Sequence, residues 1–98
     1  MMVCQVFDSR ASSSAVADFG AALVYAADRG ASIAQCSWGA SVAGDEDKSV
    51  TEAVDYFTKN GGGEKMNGGL CIFAAGNNGE EGDYYPGCLD KVVAVGSM

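Results

Sequence analysis

A chain of 98 residues has room for one hydrophobic core at most, and 48% hydrophobic with 19% charged residues is the composition of a folded interior and not of a disordered tail. Thirteen acidic against six basic residues give a net charge of -7, which excludes recognition of nucleic acid through a broad basic surface. No apolar run approaches the length of about eighteen residues that a membrane helix needs, and Met1 to Val6 lacks the basic region and long apolar stretch of a signal peptide, so neither a membrane partner nor a targeting segment is expected.

In chain order, Met2 to Phe7 is a short apolar run rich in β-formers that ends at the polar Asp8-Ser9-Arg10, and it reads as a first strand. Ser12-Ser13-Ser14 offer cap oxygens to a helix in which Val16, Phe19, Leu23 and Ala27 recur at helical spacing, with Gly30 as its stop. Ile33 to Ser37 reads as a second strand leading into Trp38-Gly39 and then an acidic loop, Ala40 to Lys48. Ser49 with Glu52 three residues on forms a capping box, and Val50, Ala53, Val54 and Phe57 line one face of a second helix. That helix runs out at Asn60-Gly61-Gly62-Gly63. Leu70 to Ala75 and Val92 to Val95 supply a third and a fourth strand, separated by Gly76-Asn77-Asn78-Gly79 and an acidic stretch.

Strands that alternate with helices and are apolar on both sides indicate a parallel sheet, so the fold class is α/β, with about four strands and two main helices. Successive right-handed crossovers put both helices on one side, which leaves the other side of the sheet bare. Cys4, Cys36, Cys71 and Cys88 show no CxxC spacing, and three of them sit in apolar runs, so free buried thiols are expected. A zinc site is set aside because histidine is absent and the spacings do not suit a cysteine-only site.

Ligands of open parallel sheets gather at the carboxyl ends of the strands, which selects Ser37-Trp38-Gly39 and Gly76-Asn77-Asn78-Gly79. Glycine leaves backbone uncovered there, and the Asn77 amide is a donor suited to an oxyanion. The succession VFDSR, helix, YAADRGASI, SWG, helix, GGLCIFAAGNNG, YYPG and VVAVGS resembles the middle of the subtilase catalytic domain across essentially the whole chain. The expectation is therefore that residues 1–98 are the central part of such a domain, with a partial subtilisin-like three-layer fold.

The resemblance implies specific roles. Asn77 matches the asparagine that donates its amide to the oxyanion of the tetrahedral intermediate. Ser37, Trp38 and Gly39 match the strand that pairs with extended substrate and forms one wall of the primary specificity pocket. Ala74, Ala75 and Gly76 match another wall, with Gly87 near the base. A pocket walled by such small residues would take a large side chain. Tyr85-Pro86 matches an element whose peptide bond is typically cis.

The aspartate, histidine and serine elements of the family's catalytic triad are missing, and without histidine this chain cannot assemble a Ser-His-Asp relay by itself. The implied function is thus that of a segment of a serine endopeptidase, inactive in isolation, acting on extended polypeptide. A peptide-binding or interaction module without catalysis is the alternative. No cofactor is required and no metal-ligand set is assigned. The family's frequent calcium would have Asp45-Glu46-Asp47 or Glu80-Glu81-Asp83 as candidates, although neither has EF-hand spacing and solvated acidic loops account for both. Secretion or a cell-envelope location is what the resemblance implies for the parent. A nucleotide-binding domain is disfavoured, because Gly61 to Gly63 follow a helix where a phosphate loop would follow a strand. The bare sheet face should drive self-association of the isolated segment.

Overall fold

The computed structural model describes residues 1–4, 19–39, 48–77 and 84–96. Helix α1 spans Phe19–Asp28 and buries Gly20, Leu23 and Ala27, while Phe19 is half-buried at its start. Val16 and the three serines expected to cap it lie outside the described residues. Its end is as expected. Gly30 adopts φ +82°, its N–H donates to Ala27 O at 3.0 Å, and Ala31 N–H donates to Ala26 O at 3.0 Å. This pair of bonds is the Schellman stop, which needs a residue at ease with positive φ.

Strand β1, Ile33–Cys36, comes directly after it. Helix α2, Lys48–Asn60, then buries Val50, Ala53, Val54 and Phe57, the stripe anticipated from their spacing. It begins before Ser49, which therefore lies inside the helix and not at its cap. Phe57 is fully buried, and its carbonyl accepts N–H bonds from both Gly61 (2.8 Å) and Gly69 (3.1 Å). The connection to β2 folds back tightly over the helix end. At Gly68, φ is +105° and a β-carbon would collide with the Thr58 carbonyl, so a glycine is required.

Strands β2, Leu70–Ala74, and β3, Val92–Val95, complete a three-stranded parallel sheet in the order β1-β2-β3. The register pairs Ala34 with Cys71 and Cys71 with Val92, then Cys36 with Phe73 and Phe73 with Ala94. Residues in register share a face, so these line the side that meets the core around α1 and α2. The expected first strand is not among the strands. Met2, Val3 and Cys4 are exposed and unpaired in the ladder, and residues 5–7 lie outside the described residues. Residues 1–4 line one cavity with β1 without joining its ladder. The acidic clusters at 45–47 and 80–83 also lie outside the described residues.

The opposite sheet face carries Ile33, Leu70, Ile72, Val93 and Val95; Ile33 is 58% and Val95 56% exposed. The bare face expected from the topology is therefore present in the packing of the described residues. No helix among these residues is long and apolar enough to cross a membrane.

Cys36 and Cys71 are buried on the helix side, whereas Cys4 and Cys88 are exposed, and all four are free. Burial pushes the Cys36 thiol up to about 11; burial, with the neighbouring Cys36 as a lesser cause, pushes Cys71 up to about 12. Two consequences are expected. Iodoacetamide should add to two cysteines of the native chain and to all four once it is denatured, as read by intact mass. Because both folded values lie above the unfolded one, the thiols' contribution to stability is complete below about pH 9 and is lost as pH rises through the folded values. Denaturation midpoints should fall progressively above that pH.

Candidate active site

The carboxyl ends of β1 and β2 and the turn that leads into β3 meet at one edge of the sheet. At the end of β1, Ser37 lies on the bare face in line with Gln35, whose side-chain amide donates to Ser37 Oγ at 3.3 Å. Trp38 turns to the other side. Its indole stacks on Phe19 with ring centroids 4.1 Å apart and meets Phe73 edge-on at 5.1 Å. This half-buried side chain anchors the strand end to α1 and β2.

After β2 the ladder continues one step, with Ala75 N–H donating to Val95 O at 3.0 Å. Gly76 then takes φ +109°, a conformation that side-chain-bearing residues rarely adopt, and the chain turns off the sheet with Asn77 exposed. Asn78 and Gly79 lie outside the described residues.

The segment Tyr84 to Leu89 closes this edge. The Tyr85-Pro86 bond is cis, as the resemblance implied, and both residues are buried. Cys88 N–H donates to Tyr84 O (2.9 Å) and Leu89 N–H to Pro86 O (3.0 Å), which makes a compact turn. Its glycine and its neighbours are close-packed through backbone. A β-carbon on Gly39 would stand 3.3 Å from Tyr85 O, and one on Gly87 would stand 3.2 Å from Ala74 O. Ser37 to Gly39, Ala74 to Gly76 and Gly87 are thus brought to one edge, with Asn77 at its tip.

Two residues of this edge carry no signal in the sequence pattern that singled out the others. Thr51 of α2 shares a hydrogen bond of 2.8 Å with the Tyr85 hydroxyl, which fastens the turn to the helix. A lone threonine on the flank of an apolar stripe has no periodicity that would reveal such a partner 34 residues away. Tyr84 packs its ring against Gly76, with Cγ and Cδ2 at 3.5 Å from where a β-carbon would stand. Its position immediately before the Tyr-Pro pair is the one hint of this role. An exposed ion pair, Lys91 Nζ to Asp55 Oδ1 at 2.9 Å, adds a second tie between α2 and the entry to β3, and at this exposure it is worth about 0–1 kcal/mol. Among the described residues no group of three or more His, Cys, Asp or Glu is placed to hold a metal ion.

The parallel sheet flanked by helices makes this an α/β protein, with glycine backbone and Asn77 at the carboxyl edge of the sheet. Over residues 1–98 the chain matches the model of the subtilase family, and it belongs to that family, whose characteristic activity is that of a serine endopeptidase. Comparison with curated proteins returns no match.

The Thr51–Tyr85 bond can be measured separately. Thr51→Val keeps the shape and removes the hydroxyl, and should lower stability by about 0.5–1.5 kcal/mol in urea denaturation. In the double variant with Tyr85→Phe the losses should be less than additive, since the two groups share one bond.

Proposed function

We propose that this chain supplies the oxyanion-stabilising and substrate-binding section of a subtilisin-like serine endopeptidase. Asn77 donates its side-chain amide to the developing oxyanion. The backbone at Ser37, Trp38 and Gly39 pairs with extended polypeptide, and Ala74, Ala75, Gly76 and Gly87 border the pocket for the side chain preceding the scissile bond. The observation that carries this reading is the Gly76 turn, which leaves Asn77 exposed at the carboxyl edge of β2 in a chain that matches the subtilase family throughout.

The chemistry arises from these groups. A donor held at a strand end, beside a tight backbone turn, needs little reorganisation when charge appears on the carbonyl oxygen, which is where preorganised dipoles contribute most. Strand-like pairing through main-chain groups supplies affinity with little sequence preference and leaves selection to the pocket. Proton transfer and nucleophilic attack require histidine and a paired serine, and this chain has no histidine. Hydrolysis is accordingly a property of the complete catalytic domain, and the 98 residues alone are inactive. No cofactor enters the reaction in this reading.

The test uses the intact peptidase that contains this chain. For the equivalent donor of subtilisin itself, loss of the amide lowers kcat by about 10²–10³-fold, and Asn77→Ala is expected to produce a drop of the same order with a much smaller change in KM. The isolated chain should show no peptidase activity. An unaltered kcat in the variant would remove Asn77 from the mechanism, and peptide-bond cleavage by the isolated chain would overturn the division of labour.

The bare sheet face bears on how the isolated chain behaves. Ile33, Leu70, Ile72, Val93 and Val95 form one apolar surface, and the favoured occupant is a second copy of the chain. The net charge of -7 on each copy opposes this pairing, so association should strengthen as salt screens the repulsion. Sedimentation velocity at micromolar concentration and two salt levels is the measurement. A monomer at both would refute it.

A further inference from the structure

We infer that Cys36 and Cys71 together form a two-coordinate site for a soft monovalent metal ion of the Cu(I) class, held between β1 and β2. This is independent of the peptidase reading. Cys36 ends β1 and Cys71 is the second residue of β2, and the register sets Cys36 beside Phe73 and Cys71 beside Ala34. The two cysteines are thus diagonal neighbours on adjacent strands, with both side chains buried on the side that faces the helices. The Cys36 thiol lies near enough to that of Cys71 to help raise its proton affinity.

The diagonal decides which link the pair can make. A strand spacing of about 4.8 Å and an advance of about 6.6 Å over two residues put the α-carbons about 8 Å apart. A disulfide requires less than about 7 Å, so a direct sulfur–sulfur bond does not fit this register, and both thiols are free. An ion between them lengthens the link. With a metal–thiolate bond of about 2.3 Å, as for zinc, sulfur–metal–sulfur spans about 4.6 Å where a disulfide spans about 2.05 Å.

The number of ligands narrows the choice of metal. Structural zinc takes four, and among the described residues no third His, Cys, Asp or Glu joins the pair. Thiolate is a soft donor that suits Cu(I), and Cu(I) is content with two such ligands in apolar surroundings like the core cluster that holds this pair. A way in exists. Cys36 also lines a cleft of about 940 Å³ to which Met1, Met2 and Cys4 bring further soft sulfur ligands. On binding, the ion replaces both thiol protons, which pass to solvent, and neither sulfur nor copper changes oxidation state. A filled site would tie β1 to β2 immediately before Ser37 and three residues before Ala74.

The experiment uses the chain carrying Cys4→Ser and Cys88→Ser, two exposed positions, so that only the buried pair remains. Cu(I) is supplied without oxygen in competition with bicinchoninate, whose coloured complex reports what the protein withdraws. The double variant should take up one equivalent with its far-ultraviolet circular dichroism unchanged, and X-ray absorption should show two sulfur neighbours. Losing a group that merely supports a metal ligand costs about 10–100-fold in affinity, so adding Cys71→Ala, which removes a ligand itself, should weaken binding by about 100-fold or more. A double variant that withdraws no copper overturns the inference without any change to the core. Binding that costs the helical signal, a single sulfur neighbour, or undiminished affinity in the Cys71→Ala variant overturns it equally.

Discussion

The burial of Phe57 is the contact on which the rest of the arrangement depends. Its ring is enclosed beneath the sheet, its neighbours Val50, Ala53 and Val54 complete the stripe, and its carbonyl holds both the end of α2 and the approach to β2. A β-carbon on Gly69 would run into the Phe57 ring, so the chain can enter β2 only along the path that glycine leaves open. That path sets which residues of β2 face the helices, because a shift of one residue would turn Cys71 and Phe73 outward. The position of Gly76 and Asn77 at the far end of the strand is therefore decided partly at its beginning. Apolar packing at the amino end and polar presentation at the carboxyl end are two ends of one register.

The elements with a strong period are legible in the sequence. Val50, Ala53, Val54 and Phe57 repeat at helical spacing with polar residues between them, and the burial matches that pattern residue by residue. Leu70 to Ala74 is legible as an apolar run between glycine-rich turns. The amino-terminal run shows the limit of such reading. Met2 to Phe7 has the composition of a strand, yet its described part, residues 2–4, joins no ladder, because pairing also depends on a partner and composition carries no information about partners. The cap of α2 is misassigned by spacing for a related reason, since several adjacent polar residues compete for one role and spacing alone does not rank them.

For the site, order along the chain identifies the edge at which Ser37 to Gly39, Ala74 to Asn77 and Gly87 gather, because the carboxyl ends of parallel strands necessarily share one side of the sheet. What the order does not contain is how side chains divide between the two faces. The place of Trp38 at the end of β1 does not reveal that its ring stacks on Phe19 and meets Phe73. Tyr84 and Thr51 matter through contacts with residues distant in sequence, and such contacts leave no local periodicity to read.

At the amino end of the sheet the two helix-to-strand connections are joined through backbone. Gly62 N–H donates to Ala31 O at 2.7 Å, and Gly63 and Gly30 approach closely enough that a β-carbon on either would touch the other's backbone. A seam made of main chain is indifferent to most side chains but intolerant of a change in length. Changes in length are better tolerated at the opposite edge, where the sequence leaves 11 residues between β1 and α2 and 17 between β2 and β3. The two edges therefore tolerate different changes: the amino edge holds its chain length and frees composition, while the carboxyl edge leaves its connections freer in length. A chain built on this plan can vary what surrounds its strand ends without reopening the question of how it folds.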